Sequence, residues 1–409
     1  MLPTEYAIQA GDRTSTILNF GLVANLKFFA SDFLNDLEAF CTYGCEEILD
    51  WELDTRGGTM IIAIRQVARA LQGKTFNTSA AEIMDDDQHS SYQYKCWLAA
   101  SIKNCERPLL FYEGVEICAL FLYSYYESAV ELGRTNLKRI ETIWSARNTR
   151  FLMFFQGLSL AGVMWEKIQD QLRSVDPLHP TRDRKKIEDK LSEELQDVIK
   201  SITEFKKKIE DWQVISDINY LSWSKLLAAQ LAEMASDYGA SINYYEEALD
   251  HAEVHNFVFE EALGNYLMAG FFIRRNARRP AKAALREAVM LYRQFGAVGV
   301  AKHIEEEHSL LLQGPTRNLR TADVGVQTNF SADSAEVQLQ GDDDDARQQT
   351  RSSITETKEE RIGAWQGGSA RPTAGSGLSA LDMLDLTSIL EGSQVISSVL
   401  QVDELLKTM

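Results

Sequence analysis

From Thr14 to Leu312 apolar side chains recur every three to four residues, and nowhere does a sustained period of two appear. A strand that buries one face needs alternate apolar residues, whereas a helix needs them at i, i+3, i+4 and i+7, so the pattern predicts an all-α chain. No Asn-Gly hairpin signal breaks it. The periodicity predicts helices over 14–30, 33–50, 57–72, 92–103, 108–122, 124–145, 148–173, 182–211, 214–236, 239–254, 257–275, 279–295 and 297–312. Their links are short, which favours antiparallel neighbours.

Part of the chain repeats. "LLAAQLAEMASDYGASINYYEEAL" (226–249) lies over "YLMAGFFIRRNARRPAKAALREAV" (266–289) with a shift of 40 residues. Ala229 meets Ala269, Leu231 meets Phe271, Ser241 meets Ala281, Tyr245 meets Leu285 and Ala248 meets Ala288. Small residues recur where helices approach closely, and large ones where a groove must be filled. The cadence Ser241, Tyr245, Ala248 resembles the tetratricopeptide pattern, with a longer period than that repeat usually has. A single helix pair cannot bury both its faces, so such pairs stack into a solenoid. Leu195, Val198, Ile202, Phe205, Ile209 and Trp212 alternate spacings of three and four, a short heptad seam. It suits an elongated helix lying along the solenoid, with a dimerisation helix as the other reading.

The organisation expected is an irregular helical-repeat region over 1–212, tetratricopeptide-like pairs over 213–312, a disordered linker over 313–380 and a short helical element over 381–409. The linker contains "GDDDDARQQT" and "GGSARPTAGSG" and too few large apolar residues to offset the entropy of ordering. After it, Leu386, Ile389, Leu390, Ile396, Val399 and Leu400 form an apolar stripe that reads as the truncated start of a further domain.

Charge narrows the function classes. The chain carries a net −18, a field that repels phosphate backbones and anionic lipid. Neither "FLMFFQGLSLAGVMW" (151–165) nor "GVEICALFLYSYYESAVELG" (114–133) reads as a membrane span: the first is short and contains Gln156, and the second carries Glu116, Glu127 and Glu131. The start of the sequence lacks a signal-peptide pattern, and five cysteines fit a reducing cytosol, so a cytoplasmic location is expected. Cys41 and Cys45 stand one helical turn apart, but no second close pair completes a metal site.

Two motifs invite a chemical reading. In "HAEVH" (251–255) Ala252 occupies the place where a zinc protease carries its glutamate, and Glu253 lies about 100° further round the helix. Glu247, His251 and His255 share a face, yet His255 also suits the negative end of a helix dipole, and Asn256 suits a left-handed cap. In "ALQGKTF" (70–76) Ala68 stands where a phosphate loop has its first glycine, and the preceding residues read as a helix rather than a strand. Gly73 is better read as a helix terminator. The aromatic run "LFLYSYY" reads as core. No residue is assigned as catalytic, cofactor-binding or metal-ligating.

The stretch from "YYEEALDHAEVHNFVFEEALGN" through "LREAVMLYRQFGA" to "VAKHIEEE" resembles the helical-repeat region of large hybrid sensor histidine kinases of the fungal type. "LDLTSILEGSQVISSVLQVDELLKTM" resembles the helix that opens their GAF domain. The strong resemblance covers 220–312 and 382–409, and 14–212 matches loosely through segments such as "IRQVARALQG". In that family a protein-kinase-like segment and an AAA-type ATPase precede the repeat, and GAF, histidine-kinase and receiver modules follow it. None of the family's catalytic boxes is found here, so the resemblance implies a non-catalytic scaffold that couples those modules in a phosphorelay. The other reading is a free-standing adaptor that binds client peptides through its concave face. Either implies protein or intramolecular partners and no cofactor, with the 187–212 helix and the C-terminal helix as candidate homodimer contacts.

Overall fold

The computed structural model describes residues 3–313 except 48–50, 52–53, 103–104, 144 and 175–179, and the side chains of that span except 3–5, 47, 172–174, 180–191 and 313. The linker and C-terminal helix expected beyond it lie outside the described residues. Among the described residues fifteen α-helices follow one another: α1 Pro3–Gln9, α2 Arg13–Phe29, α3 Leu34–Glu47, α4 Gly57–Leu71, α5 Ser91–Ser101, α6 Glu106–Leu122, α7 Tyr126–Leu137, α8 Arg147–Ser174, α9 Pro180–Gln213, α10 Asp217–Met234, α11 Tyr238–Val254, α12 Val258–Arg274, α13 Arg278–Phe295, α14 Val298–Glu307 and α15 Ser309–Gln313. The described residues contain no strand, and one isolated bridge joins Asp86 to His89. The chain is all-α.

The repeat is set by its turns. Ser236, Asn256, Asn276 and Gly296 fall at 20-residue intervals, and all have left-handed backbone, with φ of 62°, 55°, 58° and 94°. At each, the next residue's N–H reaches the carbonyl five positions back: Asp237 to Ala232 (2.8 Å), Phe257 to Ala252 (2.9 Å), Ala277 to Phe272 (2.9 Å) and Ala297 to Tyr292 (2.7 Å). This is the Schellman closure, which satisfies the last carbonyls of a helix and reverses the chain within a few residues. Asp237 then caps α11 by accepting from the Ala240 N–H at 3.1 Å. Two such reversals make one helix pair, hence the 40-residue offset between α10–α11 and α12–α13.

Helix breaks depart from the periodicity in two places. The helix expected over 124–145 is α7 followed by a 3-10 turn at Ile140–Ile143. Asn136 Nδ2 and Arg139 Nη1 both donate to Glu113 Oε2 at 2.8 Å, which draws the chain onto α6 as α7 ends. The helix expected over 297–312 is α14 and α15, divided at His308. The short α1 was not anticipated. The heptad seam of α9 is spent inside the chain: Ile202, Phe205 and Ile209 are buried, and α9 packs on α8 and α10.

Packing joins the early helices to the repeat. In a stack of helix pairs the first helix of each pair lines one face; here these are α10, α12 and α14. That face meets α2, α4, α6 and α8. Phe28 lies 6.3 Å from Phe259 between ring centroids, Phe29 lies 6.4 Å from Trp223, and Phe154 stacks on Trp223 at 5.4 Å. Phe151 to Phe155, the first five residues of the apolar run 151–165, are entirely buried. Among the described residues no helix is long and apolar enough to cross a membrane. Burial of each such aromatic ring stabilises the fold by roughly 1.5–3 kcal/mol, and the core continues unbroken from Ile17 to Ile304.

Candidate functional site

The two histidines of the 251–255 motif sit at the end of α11. His251 Nδ1 lies 2.6 Å from Ser222 Oγ of α10, and the two imidazole rings are 4.6 Å apart. Burial, and then the neighbouring His255, hold His251 below the ordinary histidine range. Glu247 is drawn away to Lys225 at 2.5 Å. Among the described residues no three His, Cys, Asp or Glu side chains form a group that could hold a metal.

Gly73 terminates α4 with φ of 76°, and α4 precedes it where a phosphate loop would need a strand. The glycine is also a contact: a Cβ on Gly299 would lie 2.3 Å from Gly73 N and 2.5 Å from the Tyr123 hydroxyl. Lys74 pairs with Glu38 at 2.5 Å and the Thr75 hydroxyl donates to the Ile83 carbonyl at 2.8 Å, so both polar residues of the motif have structural partners. Cys41 is a buried thiol whose pKa burial raises, with Cys45 adding to the shift. Of the aromatic run, Phe121 and Tyr123 belong to the core as expected.

What the chain assembles instead is a polar seam between the early helices and the inner face of the repeat. Its centre is Arg147, at the start of α8, and Glu260, in the first turn of α12, 3.6 Å apart. Arg147 Nη1 donates to Asn219 Oδ1 at 2.5 Å, and its guanidinium lies 4.7 Å from the Trp223 ring and 5.0 Å from the Phe29 ring. Glu260 accepts from the Ser31 hydroxyl at 3.2 Å and from Trp223 Nε1 at 3.4 Å. Burial raises the Glu260 pKa and lowers that of Arg147, and each is opposed by the charge of the other. Four helices, α2, α8, α10 and α12, meet at this pair.

Two further groups extend the seam. Glu233 of α10, fully buried, accepts from Arg274 Nε and Nη2 at 2.8 and 2.7 Å. Arg274 in turn lies 4.5 Å from the Trp165 ring, and Trp165 Nε1 donates to Gln230 at 2.9 Å. A cavity of about 210 Å³ opens here, walled by Tyr126, Trp165, Glu166, Tyr266, Arg274 and Glu307. Towards α14, the Tyr123 hydroxyl donates to the Ala70 carbonyl at 2.8 Å, and its ring lies 5.2 Å from His303.

A separate polar cluster fastens α5 and α6. His89 Nε2 lies 2.7 Å from the Tyr112 hydroxyl, which also lies 2.8 Å from Ser91 Oγ. Burial, with the nearby Arg65, lowers His89 to about 4, and burial pushes Tyr112 well up. Both groups are buried, and their hydrogen bond ties the segment before α5 to α6. Lys95 bridges Glu116 (2.6 Å) and Glu113 (3.6 Å) on the same helix pair.

Sequence reasoning missed Arg147, Glu260 and Glu233. A signal was present: Glu260 stands three before Leu263 and four before Gly264, so a carboxylate falls in the apolar stripe of its helix. A buried charge has to find a partner, but which of the chain's 42 Lys and Arg residues supplies it is a matter of tertiary structure. No family model matches this chain, and no curated protein matches it.

Proposed function

We propose that the chain is a non-catalytic helical scaffold, the regulatory region of a protein of the hybrid sensor histidine kinase type. In this reading it couples an ATPase-like module before it to a GAF and kinase module after it, in the cytoplasm, and works mechanically. The observation that carries the reading is the seam around Arg147 and Glu260. The face a repeat would offer to a client peptide is covered by the chain's own α2, α4, α6 and α8. A stack closed on itself in this way passes a displacement from its early helices to its last pair, because packed cores shift between discrete arrangements rather than deform continuously. An adaptor that grips clients in its concave groove needs that face open.

Two experiments test the proposal. A transcript that continues in frame past Met409 into GAF and kinase sequence is expected; a stop there favours the adaptor. Incubation of the purified chain with radiolabelled ATP should give neither turnover nor a labelled residue. Turnover abolished by Lys74→Ala would overturn the scaffold reading, since Lys74 would then serve a nucleotide and not only Glu38.

A further inference from the structure

The chain is strongly acidic, yet α13 carries the largest basic excess of the described helices. From Arg278 to Arg293, α13 carries Arg278, Arg279, Lys282, Arg286 and Arg293 against a single carboxylate, Glu287. Arg279, Lys282, Arg286, Met290 and Arg293 follow one another at spacings of three and four, which places them on one stripe of the helix. The stripe faces outward: Met290 is 50% exposed, Arg279 and Arg286 are exposed, and Lys282 is half-buried.

The neighbouring cations are already in use. Arg274 and Arg275 are held by Glu233, and Arg293 by Glu305 at 2.8 Å. Among the described residues Arg278, Arg279, Lys282 and Arg286 have no ion-pair partner. Glu287 does not neutralise them; it lies on the flank, close enough to Glu261 to help raise that residue's pKa. The first turn of α13 holds no carboxylate, so the helix dipole adds to the same positive field. Beside the stripe lies a groove of about 570 Å³, lined by Arg286, Val289, Met290, Arg293, Glu305 and Leu312.

We propose that this outer face of α13 docks an acidic amphipathic helix of a partner protein. Such a helix presents carboxylates at i, i+3 or i+4, and i+7 opposite Arg279, Lys282 and Arg286, and sets an apolar side chain against Val289, Met290 and Leu312. A nucleic acid or an anionic membrane shares the charge preference but fits worse. The apolar side chains Val289, Met290 and Leu312 have nothing to offer a phosphate, Glu305 in the same groove repels one, and the chain's net −18 repels an extended polyanion. The proposal concerns the outer face and stands whether or not the inner seam transmits motion.

The test uses the full chain and a fluorescent three-heptad Leu/Glu peptide, read by anisotropy. The comparison probes are the same peptide with Gln for Glu, a single-stranded oligonucleotide, and phosphatidylserine vesicles. The Leu/Glu peptide should bind best. Its affinity should fall about tenfold or more in R279E/R286E and several-fold in Met290→Asp. It should hold in K207E/K208E, which makes the same charge change on exposed positions of α9. All five positions are at the surface, and circular dichroism confirms that each variant is folded. Absence of peptide binding would overturn the proposal, as would equal losses in the two charge-reversal variants. Tighter binding of the oligonucleotide or vesicles, indifferent to Met290→Asp, would overturn it as well.

Discussion

Arg147→Met removes the guanidinium from the seam and leaves Glu260 buried beside Trp223 and Ser31 without its countercharge. The carboxylate then has two choices, to stay ionised in a low dielectric or to take up a proton. The second sets the ceiling. From an ordinary value of 4.5, protonation at pH 7 costs about 2.5 × 1.36, or roughly 3.4 kcal/mol. Loss of the cation–π contacts adds about 1 kcal/mol, and Met replaces much of the lost volume. At pH 5 the proton costs only about 0.7 kcal/mol. The sign follows from linkage: a carboxylate whose folded pKa is raised binds more protons folded than unfolded, so stability is lost as pH rises above the unfolded value. Urea denaturation at both pH values is the assay. The variant should lose up to about 4.4 kcal/mol at pH 7 and roughly 1–2 at pH 5, and Glu260→Gln added to Arg147→Met should recover most of the pH 7 loss. A penalty equal at both pH values, or a double variant no better than the single, would refute the idea that an unpaired buried charge is responsible.

Gly299→Ala should destabilise by about 1–3 kcal/mol, seen as a lowered thermal midpoint, because its Cβ would meet Gly73 backbone at 2.3 Å; an unchanged midpoint means that α14 does not pack against the end of α4. Ser236→Gly, at φ of 62°, should stabilise by about 0.5–1 kcal/mol, since relief of the left-handed strain exceeds the added freedom of the unfolded chain; a destabilised variant contradicts the assigned turn. His89 is held at about 4 against 6.5, so its contribution is present above pH 6.5 and is lost as pH falls towards 4, up to about 3 kcal/mol. His89→Gln should flatten the stability profile across that window, and an identical acid limb in the variant would assign the loss to other groups.

Much of this architecture was legible in the residues alone. The 3.6-residue period of apolar side chains specifies helices because a helix brings i, i+4 and i+7 to one face, whatever lies opposite. The offset of 40 between Ala229 and Ala269 is likewise local in origin. It repeats because Ser236, Asn256, Asn276 and Gly296 each reverse the chain with a bond that spans five residues. Gly73 as a helix terminator needed only its own φ and the helix before it. Periodicity did not show that α7 stops at Leu137, since the cause, Glu113, lies more than twenty residues away on another helix.

The seam was beyond the sequence for the same reason. Arg147 and Glu260 are separated by more than one hundred residues, and Ser31 and Glu260 by more than two hundred. Local pattern marks Glu260 as a charge on an apolar stripe; it says nothing about the partner, because pairing across such a distance is fixed by how whole helices stack. The inner face of the repeat poses the same problem at larger scale. Its small and large residues are those of any helix pair that needs a cover, and whether a client or the chain's own α2 to α8 supplies that cover depends on long-range packing. The sequence therefore determined the helices, their turns and their rhythm, all of which are settled within a few residues. The tertiary structure alone decided what each apolar face rests on and which buried charges meet.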